Sequence, residues 1–271
     1  MIGTSTLDQL ARLADRDGWR VALVGDPRQL QAVGRGGMFT ELCALGRVHP
    51  LTTVHRFTNQ WEAAASLRLR HGDATVLDTY EDHDRVTPGS LATHLERLAG
   101  DWIDHHRHGD SVAITTATNL HVDQINAAVQ AARLAAGDLN PAGAVAVGGG
   151  EIVHAGDIVV TRRNDRTLTT MIGDTVRNRD RWTVTSTHPD HTITVTPIKG
   201  HGAIRLPADY IREHVRLGYA ATEHGNQGTT VDIAYQLIDA ATTNRGLYVG
   251  ATRGRMQRGG RPPSAPNGCA P

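Results

Sequence analysis

The chain has 271 residues, 39% of them apolar, and its 28 basic and 28 acidic side chains leave no formal net charge. That length holds one large domain or two modest ones with a buried core, and neutrality excludes the general basic excess of an autonomous nucleic-acid binder, so any contact with a phosphate backbone must be local. Membrane insertion and secretion are not signalled: there is no run of 18 apolar residues, and no basic stretch with an apolar segment follows Met1, which makes the cytoplasm the expected compartment.

Thr4 and Ser5 are placed to cap a helix that carries Leu7, Leu10 and Leu13 on one face and ends at Gly18. The apolar run 19–24 then predicts a buried strand. It empties into Gly25-Asp26-Pro27-Arg28-Gln29-Leu30, a turn-rich loop of the kind that carries ligands at the carboxyl ends of parallel strands. After the short apolar segment 51–54 come His55-Arg56-Phe57 and a helix opened by Trp61-Glu62-Ala63-Ala64-Ala65, while Glu81-Asp82-His83-Asp84 reads as a solvated loop. Residues 90–106 predict a helix, 111–116 a short β-branched strand and 119–136 another helix, and such alternation implies a parallel sheet covered by helices. Between 150 and 212 the pattern changes to β-branched alternation, at 157–162, 181–186 and 192–198, with no helical period. A small β-barrel inserted into the α/β unit is the expectation. Helix-and-strand patterning resumes at Val215 and includes a strand over 231–238; the Gly/Pro/Arg/Ser-rich residues 258–271 are expected to be disordered. Cys43 and Cys269 form neither a disulfide framework nor a metal-ligand spacing.

Four segments carry a family resemblance. Residues 21–39, VALVGDPRQLQAVGRGGMF, resemble motif III of superfamily 1 helicases, in particular the RecD-like branch and the helicase half of TraI/TrwC-type (MobF-type) conjugative relaxases. His55-Arg56-Phe57 resembles motif IV, residues 218–232 (GYAATEHGNQGTTVD) motif V, and residues 248–255 (YVGATRGR) motif VI. The motifs stand in family order and the resemblance covers nearly residues 1–257. It implies an α/β fold with the P-loop NTPase (RecA-like) parallel sheet: an incomplete first RecA-like domain over 1–58, a second over 59–149 and 213–257, an inserted SH3-like β domain over 150–212, and a tail. It also implies roles. Gln29 would sense the γ-phosphate beside Gly25 and Asp26, Arg56 would reach the same phosphate, and Gln227 and Gly228 would touch the nucleotide. Arg35, Thr222, His224 and Thr229 would contact the DNA backbone, and Arg253 would be an arginine finger bridging β- and γ-oxygens. ATP, Mg²⁺ and single-stranded DNA are the ligands of the intact family.

The chain departs from the family pattern in its lysine. A P-loop needs lysine in G-x-x-x-x-G-K-[ST], whereas Lys199, the single lysine of the sequence, is followed by Gly200 and His201. The family's Asp-Glu-Ala-Gly magnesium site belongs just before a segment like Met1-Ile2-Gly3-Thr4, so the expectation is an amino-terminally truncated fragment whose Met1 was internal in a longer ancestor. Such a chain would hold no cofactor tightly and hydrolyse no ATP alone, and its first sheet would expose apolar strand edges unless a partner covered them. Two functions stay open: an incomplete helicase or translocase, and a nonenzymatic DNA-binding or complementing subunit of a split helicase, partnered by an amino-terminal fragment encoded upstream. His105, His106 and His108 read as a helix end rather than a metal cluster, and Asp232 as a structural or capping residue. Arg162, Arg163, Arg166, Arg177, Arg179 and Arg181, set against Asp165, Asp174 and Asp180, leave a structural turn role and a phosphate-facing role equally open.

Overall fold

A computed structural model describes residues 2–32, 37–50, 57–73 and 75–256. The first helix, α1 (Thr4–Asp17), follows the extended Gly3 and is closed by Gly18 at φ +68°, whose N–H reaches Ala14 O. Thr4 and Ser5 therefore lie inside the helix rather than ahead of it. The buried strand expected over 19–24 is absent: the segment is extended but unpaired, with Trp19 58% and Val24 91% exposed. A buried parallel strand needs hydrogen-bonded neighbours and covering helices, and no described segment supplies them here. After α2 (Met38–Leu45), α3 (Gln60–Arg70) and α4 (Val76–Asp82) pack Ala65, Leu69, Val76 and Tyr80 into a small core. Glu81 and Asp82 form the last turn of α4 rather than a loop, and His83 stacks on Trp61 at 3.9 Å.

Helix α5 (Leu91–Arg107) starts on Ser90, whose hydroxyl accepts the Thr93 N–H, and α6 (Asn119–Ala135) starts on Thr118, which accepts from His121 N–H. Each side chain satisfies a donor that the first helical turn leaves free. Between these helices runs β1 (Val112–Thr116), buried at every residue.

The chain then builds antiparallel structure. Strand β2 (Asn140–Ala146) pairs with β3 (Ile152–Ala155), and β5 (Asp165–Thr169) with β6 (Thr175–Val176). A five-stranded sheet joins β4 (Ile158–Thr161), β7 (Arg181–Thr187), β8 (Ile193–Pro197), β9 (Ile204–Leu206) and β10 (Val215–Leu217) in the order β10-β4-β7-β8-β9. Helix α7 (Ala208–His214) precedes β10, in a stretch whose pattern predicts no helix; at about two turns it is too short to stand out by hydrophobic period. Strand β11 (Ala220–Thr222) returns the chain to the parallel sheet. There follow α8 (Glu223–Asn226), β12 (Val231–Gln236), α9 (Asn244–Ala251) and β13 (Gly254–Met256), in the parallel order β11-β1-β12-β13.

One apolar core runs through both sheets, including Ile114, Val122 and Trp102 on one side and Trp182, Val195 and Leu206 on the other. A buried polar network ties them together. The Tyr219 hydroxyl donates to Asp157 Oδ1, and Arg133 Nη1 donates to Tyr219 Oη (2.9 Å) and Gly156 O (2.8 Å). Gln130 Nε2 and the His154 N–H both donate to Asp157 Oδ2 at 2.7 Å. Burial pushes the Tyr219 phenol well above its ordinary range, and the adjacent Asp157 carboxylate adds to the shift.

Candidate functional site

The motif III-like loop, 25–30, docks on the carboxy-terminal elements of the parallel sheet. Asp26 Oδ2 accepts the Tyr248 hydroxyl at 2.8 Å, while Oδ1 lies 3.2 Å from Arg70 Nη2 and accepts the Arg28 N–H at 3.0 Å. Burial, then the bond to Asp26, pushes Tyr248 up to about 12. The Gln29 N–H closes the turn on Asp26 O (3.2 Å). That turn sets the Gln29 side chain against Gln227, whose Nε2 lies 3.4 Å from Gln29 Oε1 and 3.3 Å from Leu30 O. Arg245 Nη1 reaches Gln29 O at 3.4 Å. These last three contacts sit at the long limit of hydrogen bonding and are weak. Gln227 Oε1 is buried with no hydrogen-bond partner among the described residues.

Gln227 is held at this seam by the short helix before it. Thr222 Oγ1 accepts the Gly225 N–H (3.2 Å), and Asn226 Nδ2 donates to Ile114 O (3.0 Å) and Thr115 Oγ1 (2.8 Å), anchoring the turn to β1. Gly228, at φ +87°, reverses the chain, a conformation that glycine adopts without Cβ strain. Helix α9 approaches closely because Gly246 and Gly250 lack side chains. A Cβ on either would overlap the Glu223 carboxylate or the Gln236 amide, respectively.

The remaining motif V-like residues divide between two places. Thr222 spends its hydroxyl on its own helix cap, and the His224 carbonyl accepts Arg179 Nη1 at 2.7 Å. Gly228 and Thr229 line a crevice of about 830 Å³ between the two sheets, lined also by Arg177, Arg179, Arg181 and Lys199 and by Asp110, Asp174 and Asp180. Lys199 Nζ donates to Thr230 O at 3.0 Å. Arg181 Nε is buried without a hydrogen-bond partner, and desolvation lowers this guanidinium to about 10. None of these four cations is ion-paired among the described residues.

Arg253 is 1% exposed. Its Nε donates to Val249 O (2.7 Å) and Nη2 to Thr252 Oγ1 (3.0 Å), closing the end of α9, while Nη1 reaches Thr229 O of the motif V-like turn at 3.5 Å. Arg245 is a guanidinium that reaches Gln29 directly, while Arg253 acts on Tyr248, the partner of Asp26, through its charge. Arg245 stands three positions before Tyr248, on the same helical face, a spacing that could have pointed to it. Arg70 carried no such signal: it reaches Asp26 from 44 positions away. Arg35 and Arg56 lie outside the described residues, as does the tail 257–271. Asp232 is structural: its Oδ2 accepts the Ser111 N–H and hydroxyl, which lowers its pKa. His105 pairs with Asp110 at 2.9 Å, His106 stacks on Trp102, and His108 Nδ1 meets Asp104 O at 2.6 Å. Among the described residues no group of three His, Cys, Asp or Glu side chains converges as a metal cage, and no helix is long and apolar enough to cross a membrane.

A parallel sheet with a glutamine-bearing loop docked at its carboxyl side, carrying an antiparallel barrel between β1 and β11, defines an α/β protein with an SH3-like domain, and its fold is similar to that of helicases. Residues 1–90 match a family model described as an AAA domain, and residues 145–216 one described as the Rv2311 SH3-like barrel domain. The conjugal transfer protein TraA of Agrobacterium fabrum is 28% identical over 253 residues, 91% of this chain, and the uncharacterized protein Rv2311 of Mycobacterium tuberculosis is 36% identical over 83 residues, 30% of this chain. The chain spans 22% of the length of that TraA and 48% of that of Rv2311. Among solved structures, the Pif1 helicase from Bacteroides in complex with ADP-AlF3 and ssDNA superposes with a TM-score of 0.59 at 17% identity, covering 94% of this chain and 66% of that one. The Pif1 helicase from Candida albicans gives 0.52 at 14% identity, covering 94% and 68%.

Proposed function

We propose that this chain forms the phosphate-responsive and strand-contacting part of an ATP-dependent superfamily 1 motor acting on single-stranded DNA, in the setting of conjugative transfer or recombination. The observation that carries the reading is the approach of Gln29 to Gln227 beside Arg245 and Arg70. Two side-chain amides in weak mutual contact can exchange that contact for phosphate oxygens, and guanidinium groups neutralise charge there. The donors at the seam suit the phosphate end of ATP, which supplies the phosphoanhydride whose cleavage drives such motors. Lysine for the β/γ-phosphates and carboxylates for Mg²⁺ come, in this reading, from a P-loop and an Asp-Glu-Ala-Gly site amino-terminal to these motifs, and residues 1–271 without them do not turn ATP over. The exposed run 19–24 is where the amino-terminal part would add its sheet. The resemblance to a Pif1 helicase bound to ssDNA and the cation-lined crevice support a single-stranded ligand. We further propose that residues 1–58 belong to a first RecA-like domain, 59–149 and 213–257 to a second and 150–212 to the barrel, and that the protein works in the cytoplasm.

A second reading, a nonenzymatic DNA-binding subunit, is favoured by the crevice alone, whose Arg177, Arg179, Arg181 and Lys199 need no nucleotide to attract phosphates. ATP hydrolysis stimulated by single-stranded DNA separates the two, measured with the chain alone and with an added segment carrying a P-loop and the Asp-Glu-Ala-Gly site. Turnover restricted to the mixture and lost in Gln29→Ala supports a motor. Salt-sensitive DNA binding without turnover in either supports the second reading, and turnover by the chain alone refutes the argument from the missing lysine.

A further inference from the structure

Arg162 and Arg179 come together where the barrel meets α8. Arg162 follows β4, and its backbone N–H donates to His214 O at 2.7 Å. Arg179 lies in the turn between β6 and β7, and its N–H donates to Thr161 O at 2.7 Å, which sets it beside the residue preceding Arg162. The Arg179 guanidinium is held as well: Nη1 donates to His224 O at 2.7 Å, tying it to α8, the helix that Gln227 closes. Arg179 lines the crevice of about 830 Å³ and Arg162 does not, so the pair marks the edge of that crevice.

Both residues carry a cost that the fold does not relieve. Arg179 has φ +76°, in the left-handed region where glycine is at ease. The other two non-glycine residues with positive φ among those described are Asp84 and His191, types that enter this region more readily than arginine does. Arg162 is exposed but forms no ion pair among the described residues. Partial desolvation holds its guanidinium below the ordinary value, and the charges of Arg216 and Arg179 add to that shift, outweighing Glu151 and Asp123. Those two carboxylates are already engaged: Arg216 Nε lies 3.0 Å from Glu151 Oε2, and its Nη2 lies 2.9 Å from Asp123 Oδ1. In the Arg179 turn itself, Asp180 Oδ2 accepts the Arg177 N–H at 2.8 Å. Like charges crowded at an exposed edge, one of them on a strained backbone, gain stability when an external anion binds between them.

The geometry points to Arg162 and Arg179 as a clamp for one backbone phosphate of a single strand, at the place where the strand leaves the crevice. The assignment rests on the strand-binding reading of that crevice. A guanidinium presents a planar fork of donors that matches phosphate oxygens. A contact of this kind positions the strand and carries no base preference.

The test is fluorescence anisotropy of the full chain with a labelled oligothymidylate of about 16 nucleotides, repeated over a series of salt concentrations. Parent binding that weakens with salt supports the strand reading by itself. Arg162→Ala is expected to reduce the slope of log affinity against log salt by about 0.7, which weakens binding about eightfold at about 50 mM salt. The loss should be equal on oligoadenylate, and Arg162→Lys should keep the parent's slope. Arg12→Ala, which removes a cation of α1 paired with Asp8, controls for net charge. The melting temperature of Arg162→Ala should match or exceed the parent's, because crowding is relieved. Arg179→Gly, which frees the left-handed backbone, should weaken binding without lowering the melting temperature. A parent that binds no oligonucleotide removes the strand reading and the clamp with it. Parent binding that Arg162→Ala leaves unchanged, or weakens no more than Arg12→Ala does, overturns the clamp alone. A lowered melting temperature in Arg162→Ala would mark a structural role and overturn it too. So would inorganic phosphate displacing the strand at matched ionic strength as effectively as unlabelled oligothymidylate, the mark of a free-anion site.

Discussion

Replacing Tyr219 by phenylalanine probes how the barrel is fastened to the parallel sheet. The change removes one oxygen from a side chain that is 1% exposed. That oxygen donates to Asp157 and accepts from Arg133, at 2.9 Å in the latter case. Neither partner is left bare: Asp157 keeps Gln130 and the His154 N–H, and Arg133 keeps Gly156 O. The loss is therefore that of two charge-assisted bonds in a dry site whose partners keep other bonds, about 1.5–3 kcal/mol, well below the sum of two fully orphaned groups. For a protein of this size that corresponds to a fall in melting temperature of roughly 2–4 °C for each kcal/mol. Asp157→Ala should cost more, because the Tyr219 hydroxyl, Gln130 amide and His154 N–H all lose their acceptor in a residue that is itself fully buried. Urea unfolding followed by tryptophan fluorescence reports both, since Trp102 lies against Tyr219 at 4.9 Å. A Tyr219→Phe cost under about 0.5 kcal/mol, the level of an ordinary surface substitution, would refute the view that this network joins the two sheets.

Gly246→Ala should destabilise by about 1–3 kcal/mol, because its Cβ would overlap the buried Glu223 carboxylate, which must move out of its place; an unchanged denaturation midpoint would contradict the close approach. Burial, and then Asp239, hold the Glu223 carboxyl above its ordinary value. Ionisation is thus costlier in the fold than in the unfolded chain, a penalty absent below the unfolded value near about pH 4.3 and complete above the raised one. Glu223→Gln should accordingly raise the melting temperature more at about pH 8 than at about pH 4, and an equal effect at both would exclude this origin. Arg253→Ala should lower the melting temperature by itself, since it removes two donors that close the end of α9, to Val249 O and Thr252 Oγ1, and one that reaches Thr229 O. Arg245→Ala should leave stability near the parent's while reducing any reconstituted ATP turnover, and the reverse pattern in the two arginines would overturn their placement.

Much of the architecture was legible because it rests on local rules. The helices over 90–106 and 119–136 read from the sequence pattern, residues 111–116 read as a strand from their β-branched run, and the β-branched alternation around Trp182 and Val195 marks the barrel. Motif order likewise singled out Gln29 and Gln227, which the fold brings to one seam across 198 positions. What tertiary structure decided were properties that depend on neighbours. The run 19–24 is apolar enough for a buried strand, yet a strand is a relation between segments, and without a described neighbour Trp19 and Val24 stay exposed. An arginine in a motif looks the same whether it faces a cleft or its own helix end; packing buried Arg253 against Val249 O and Thr229 O and turned Arg245 towards Gln29. Sequence thus determined most of the helices and strands, because propensity and hydrophobic period act within a few residues. Packing alone decided which donors reach the Gln29 carbonyl and which tyrosine locks the sheets together, because those are outcomes of desolvation and of long-range geometry.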